Sequence, residues 1–177
     1  MQTFRTKNPN FRETILEHLN RQEFMKSIHA TLTSIELGRV VAEIPLEQMH
    51  QQQIGLVHGG VTATIADIAA GFAGFTLVAP DEHTVTAEIK VSYLRPGRGT
   101  LLRAIGTVIK QGTSMHFCQA HVYCIDEFGE EHLIAHATTT MAIIKPQHIG
   151  DHEYSKRLHT HIRFNHNSFN CCWRSDW

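Results

Sequence analysis

His58-Gly59-Gly60-Val61-Thr62-Ala63-Thr64-Ile65-Ala66-Asp67-Ile68-Ala69-Ala70-Gly71-Phe72-Ala73-Gly74-Phe75-Thr76-Leu77-Val78 decides the fold of this chain. Small and apolar residues fill almost every side of a helix drawn through it, from Gly59 to Val78, with Pro80 closing the run. A helix that is apolar all round belongs in a core. Its alanines, glycines and threonines leave room for other backbone to approach closely. Asp67 is the only charged residue between His58 and Asp81.

Downstream the period becomes two. Val85, Ala87, Ile89, Val91 and Tyr93 alternate with Thr84, Thr86, Glu88, Lys90 and Ser92, which predicts a half-buried strand ending at Arg95-Pro96-Gly97. Residues 100–110, 113–125 and 132–144 read as three more strands, with turns at Gly112 and Phe128-Gly129. Upstream, residues 47–57 form a Gln-rich loop. Before it, β-branched residues from His29 to Leu46 fold back at Gly38-Arg39 as a hairpin. Residues 10–28 place Phe11, Ile15, Leu16, Leu19, Phe24, Met25 and Ile28 at helical intervals and predict one amphipathic helix. Short connections make consecutive strands antiparallel. The expected class is α+β, an antiparallel sheet wrapped around one long helix. The chain divides into a helical segment over 1–28, a main domain over 29–145, and a polar, His-rich tail over 146–177 expected to be loosely ordered.

The chain has 177 residues, a net charge of −1, 42% hydrophobic and 19% charged residues. That balance suits one globular core and gives no electrostatic footprint for nucleic acid. The start of the chain has no apolar stretch of signal-peptide type, and residues 61–79 are too rich in polar and small residues to span a membrane. Cys118 and Cys124 fall in a strand pattern as small hydrophobes, and Cys171 and Cys172 neighbour each other in the tail. The cytoplasm is the compartment these features predict. Fourteen histidines invite a metal reading, but no HExxH or paired CxxC spacing accompanies them. No metal or other cofactor is expected.

Two features carry chemistry. A helix beginning at Gly59 presents free N–H groups and a partial positive charge, and Gly59-Gly60 lets a carbonyl oxygen come close to them. The bland alternative is a tight turn. Asp67, inside an apolar helix, suits a general base or nucleophile, with a structural pairing as its alternative. Gly60 and Asp67 share a helix face but stand about 10 Å apart along the axis. Acyl chemistry needs both groups within about 3 Å of the reacting atoms or one water away. If both serve one substrate, Asp67 comes from a second subunit, and a two-fold dimer makes two such sites.

The stretch from Gly55 through His58-Gly59-Gly60 to Asp67 resembles the signature of the PaaI-type hotdog thioesterases, named for phenylacetic acid degradation. Val91-Ser92-Tyr93-Leu94-Arg95-Pro96-Gly97 is similar to that family's strand and following turn. The resemblance covers about residues 25–145. It implies a hotdog fold, a homodimer or homotetramer, and hydrolysis of an acyl-CoA thioester. Asp67 would be the base or nucleophile contributed across the dimer, Gly59 the N–H donor to the carbonyl, and His58 an orienting residue. Thr86 falls where the family often carries a hydroxyl that holds the water or the aspartate. Gln52 stands where the family usually has Asn. Arg95 and Lys110 are candidates for CoA phosphates, with solvated strand-end cations as the alternative. Phe72, Phe75 and Phe117 read as core, with an acyl pocket as the second possibility. A non-catalytic acyl-CoA-binding module and a hotdog enoyl-CoA hydratase remain the alternatives to hydrolysis.

Overall fold

The computed structural model describes residues 3–145. The tail, with its two cysteines, lies outside the described residues. Helices α1 (Phe11–Asn20) and α2 (Glu23–Ser27) precede strands β1 (Thr31–Glu36) and β2 (Arg39–Pro45). A single 3-10 turn, Gln48–His50, leads to α3 (Gly59–Phe75). Four strands follow: β3 (His83–Tyr93), β4 (Leu101–Gln111), β5 (Met115–Ile125) and β6 (Glu131–Ile144). They form one six-stranded sheet in the order β1-β2-β4-β5-β6-β3, every pairing antiparallel. The expected α+β architecture is the one observed.

Helix α3 lies across the concave face of this sheet. Ile65, Ala66, Ala69, Ala70 and Ala73 are fully buried against Ala42, Leu102, Ala104, Ala120 and Val122. Closest approach falls at Gly106, where a Cβ would land on the Ala69 carbonyl. The small residues of the quoted stretch serve that approach. Thr62, Ile65, Ala66, Ala69, Ala70 and Ala73 face inward, whereas Gly60, Thr64, Asp67, Ile68 and Gly71 mark a stripe of partial exposure. The helix stops three residues before the expected Val78. Its last turn tightens as Leu77 N–H bonds to Gly74, while the buried Thr76 hydroxyl donates to the Ala73 carbonyl and accepts the Gly38 N–H. Gly38 makes the β1–β2 turn at a positive φ of 73°.

The predicted single helix over 10–28 is two helices. Gln22 is extended (φ −91°, ψ 92°) and breaks the run. Ile15 and Met25 sit about 80° apart on a continuous helix, and the break turns both into the core, where each is almost wholly buried. Phe24, on the other side, is left exposed.

Strand β3 departs from the predicted half-buried strand. It forms one edge of the sheet and is largely exposed, with Val85, Ile89 and Tyr93 all open to solvent. The register with β6 slips between Thr86 and Glu88, a bulge at Ala87. A bulge inserts one residue and reverses the alternation beyond it. Thr84 and Thr86 therefore face the helix together with Val91 and Tyr93, although simple alternation separates them.

Candidate active site

The N-terminus of α3 is organised by His58. Its backbone is extended (φ −66°, ψ 133°) and its Nδ1 accepts the Gly60 N–H at 2.9 Å, a side-chain cap on the helix. That bond assigns the Nδ1 lone pair to the cap, so a neutral ring carries its proton on Nε2. The His58 carbonyl takes the N–H groups of Val61 and Thr62, at 3.0 and 3.2 Å. Of the first four helix donors, Gly59 N–H alone has no acceptor among the described residues. The Gly60 amide, also expected to serve the substrate, is occupied by the cap.

Around that free amide lies a cavity of about 420 Å³, lined by Gln52, Gly59, Thr62, Tyr93, Arg95 and Ile134 among others. Gln52 is held by its main chain: its N–H bonds to the Leu56 carbonyl and its own carbonyl accepts the Gly55 N–H. Gln52 lines the cavity, and its side-chain amide has no hydrogen-bond partner among the described residues. The Tyr93 hydroxyl donates to the Gly59 carbonyl at 2.9 Å and ties the end of β3 to the helix start. Sequence reading took Tyr93 only as an alternating strand residue. The signal was its place two residues before Arg95 in the second motif.

Asp67 opens onto a different cavity, of about 230 Å³, with Thr86, Gly71, Phe75, His83 and Met141 in its wall. The Thr86 hydroxyl donates to Asp67 Oδ1 at 2.7 Å. Among the described residues Asp67 has no cationic partner, and this is its one hydrogen bond. Oδ2 is left for a water or a ligand. Sequence reading missed His18 and Gln22, which α1 and the α1–α2 break bring to the same cavity. They lie far from the motif in sequence, and no local pattern marks them. Burial first, then the neighbouring His83 and Arg21, holds the His18 imidazole below the usual histidine range.

The two cavities share no lining residue. Gly59 and Asp67 stand eight residues apart on one straight helix, about 12 Å along its axis. One chain therefore presents two half-sites: a free amide with Gln52, Tyr93 and Arg95, and a carboxylate with Thr86. Lys110 joins neither. It is exposed beside a bulge in β4, in register with Phe117. Phe117 is exposed on the outer face of the sheet, so it belongs to neither the core nor either of these two cavities. Phe72 and Phe75 do both, closing the core and lining the Asp67 cavity. No group of three or more His, Cys, Asp or Glu positioned for a metal ion occurs among the described residues. Nor is any of their helices long and apolar enough to cross a membrane.

Residues 54–127, which carry the glycine turn, α3 and all of β3, β4 and β5, match the family model described as the thioesterase superfamily. A Bacillus subtilis protein described as an esterase is 30% identical over 111 residues, which is 60% of this chain and 82% of that protein. The chain belongs to the thioesterase superfamily. Human acyl-coenzyme A thioesterase 13 is 31% identical to this thioesterase-superfamily chain over 90 residues, 49% of its length and 62% of the human protein. The chain spans about two thirds or less of the length of several such relatives. A solved thioesterase-family structure from Silicibacter pomeroyi superposes with a TM-score of 0.75 at 29% identity, covering 77% of this chain and 99% of that one. The Escherichia coli PaaI structure shares the fold, with a TM-score of 0.66 at 16% identity over 78% of this chain and 96% of that one. A PaaI-type hotdog is thus the architecture of this thioesterase-superfamily member.

Proposed function

We propose that the protein hydrolyses acyl-CoA thioesters at sites shared between two subunits. The observation that carries this reading is the pairing of complementary half-sites on one helix, an unclaimed Gly59 N–H at its start and the Thr86-held Asp67 two turns on. The thioester carbonyl oxygen accepts the Gly59 N–H, which stabilises the negative charge that develops there. Asp67 takes a proton from water as the water oxygen attacks the carbonyl carbon. The C–S bond then breaks, and the CoA sulfur leaves as a thiol with the proton returned from Asp67. Thr86 fixes the carboxylate, so that Oδ2 faces the water. Gln52 and Tyr93 brace the carbonyl end, and Arg95 at the mouth of that cavity meets CoA phosphate. The name of the human relative, an acyl-coenzyme A thioesterase, supports the substrate class.

The exposed β3 edge supports the second subunit. An eleven-residue edge strand with unpaired backbone groups is a template for another strand. Because α3 runs antiparallel to β3, Tyr93 sits beside Gly59 and Thr86 beside Asp67. Two-fold antiparallel pairing of β3 strands centred near Ile89 and Lys90 sets Thr86 of one copy opposite Tyr93 of the partner subunit. That arrangement brings each aspartate toward the other copy's free amide. A homodimer is the smallest active unit, and a tetramer is a dimer of these. A reducing cytoplasm suits the two buried free thiols, Cys118 and Cys124.

Thiol release from acyl-CoA is the test. Asp67→Asn is expected to abolish it while leaving a folded oligomer of unchanged size. Full turnover in that variant overturns the assignment.

A further inference from the structure

The outer face of the sheet, turned away from α3, carries a histidine pair that hydrolysis does not use. His121 in β5 and His136 in β6 stand directly opposite each other in the antiparallel register. Ala120, Val122, Ala135 and Ala137 beside them are fully buried toward α3, so alternation turns both imidazoles outward. There they are half-buried. Their ring centroids lie 4.8 Å apart with the planes inclined by 41°, between a stacked and an edge-on arrangement.

That separation is the one a shared ion requires. Imidazole nitrogens bind zinc at about 2.0–2.1 Å, which puts the ion about 3.2 Å from each ring centre. Centres 4.8 Å apart then subtend about 100° at the ion, between the square and the tetrahedral angle. The nitrogens are also in a state to bind. His136 Nε2 meets Gln119 Oε1 at 3.4 Å. Its N–H donates to that oxygen and leaves the Nδ1 lone pair free, as in histidine ligands that spend their second nitrogen on a carbonyl. His121 has no hydrogen bond among the described residues. Burial, then the neighbouring His136, holds its imidazole below the usual histidine range, so at neutral pH an ion displaces no proton from it.

We propose that His121 and His136 together bind one divalent ion of the zinc, nickel and copper class, to which imidazole is suited. Water fills the remaining positions, since no group of three or more His, Cys, Asp or Glu is placed for a metal among the described residues. Two protein ligands make the ion exchangeable. It clips two interior strands of the sheet together on the side away from Asp67. The site is therefore independent of the water activation proposed at Asp67.

Zinc ion added to the full 177-residue chain tests the site, read by imidazole nitrogen NMR. The His121 and His136 resonances are expected to shift together and to saturate with one ion. His121→Phe and His136→Phe each keep a flat ring on the strand. Each is expected to weaken that step at least about tenfold, because even a supporting partner of a metal ligand is worth roughly ten- to hundredfold. The chain's fourteen histidines offer zinc other places, so each variant is compared with wild type at the zinc concentration that saturates the wild-type step. One ion fewer per chain is the expected result. Unshifted His121 and His136 overturn the proposal, as does a shift of one ring alone or an unchanged affinity in either variant. The wild-type spectrum decides by itself if a variant fails to fold. Thiol release without added zinc is expected to be equal in wild type and both variants, and a folded variant that loses it overturns the placement of the pair outside the active site.

Discussion

The start and the middle of α3 are built from the same chemistry of small residues and yet present opposite chemistries. At its N-terminus, main-chain groups do the work: His58 and its carbonyl satisfy three of the first four donors and leave Gly59 N–H free. Two turns on, a side chain does it, with Asp67 held by a hydroxyl from a strand on the sheet edge. The start offers a hydrogen-bond donor and no base, the middle a base and no donor. A helix is rigid over this span, so neither supplies the other's deficit within one chain. On the proposed mechanism, the difference makes catalysis a property of the pair of subunits.

The comparison breaks most visibly by removing the base. Asp67→Asn is expected to lower kcat in a thiol-release assay by 10³-fold or more, roughly the scale of losing a general base and its orientation together. At the helix start, Gly59→Pro removes the amide proton and puts the ring's Cδ in its place. Proline is tolerated at the first helical position, and His58 already has the extended backbone that a following proline requires. Its expected cost is about 10²-fold to 10³-fold in kcat, with the melting temperature little changed. Mixing the two inactive chains is the sharper version. Random reassociation of a shared-site dimer restores about a quarter of wild-type activity, since half the dimers are mixed and each holds one intact site. Two sites each confined to one chain give no recovery.

Smaller effects separate packing from chemistry. Gly106→Ala drives a methyl into the Ala69 carbonyl and is expected to cost about 3 kcal/mol of stability, read by denaturant unfolding, with both half-sites lost together. Thr86→Val, which keeps the shape and removes the donor to Asp67, is expected to reduce kcat by about tenfold, with Thr86→Ser restoring most of it. The smallest signals are the two buried thiols. Burial pushes Cys118, near Gly74, up to about 12, and burial with Asp126 pushes Cys124, near Gly99, up to about 11. At pH 8 both are expected to resist alkylation in the folded protein, as peptide mass spectrometry would read. Labelling of one alone would show that its part of β5 opens independently.

The central helix was legible because its composition is extreme: an all-round apolar run of small residues has few other homes than a core beneath a sheet. The strands and their turns followed from period two and from glycine, and their bounds came within two residues. The seven-residue spacing from Gly60 to Asp67 was enough to suggest that, if both serve one substrate, they come from different subunits. The helix at 10–28 was misread because periodicity does not register a break that lets Ile15 and Met25 both face inward. Strand β3 was misread because alternation cannot see a bulge.

What the sequence determined by itself is therefore local and periodic. It specified the buried helix with its glycine start, the single charge upon it, the antiparallel strands, and the motif that resembles a thioesterase family. What only the tertiary structure decided is which distant groups meet. The bulge at Ala87 turns Thr86 toward Asp67, Tyr93 closes on Gly59, the cap consumes the Gly60 amide, and α1 carries His18 to His83 across the width of the chain. The physical reason is one of range. Hydrophobic periodicity and backbone geometry act between neighbours in sequence, whereas a bulge, a register and the docking of a helix are fixed by packing against residues dozens of positions away.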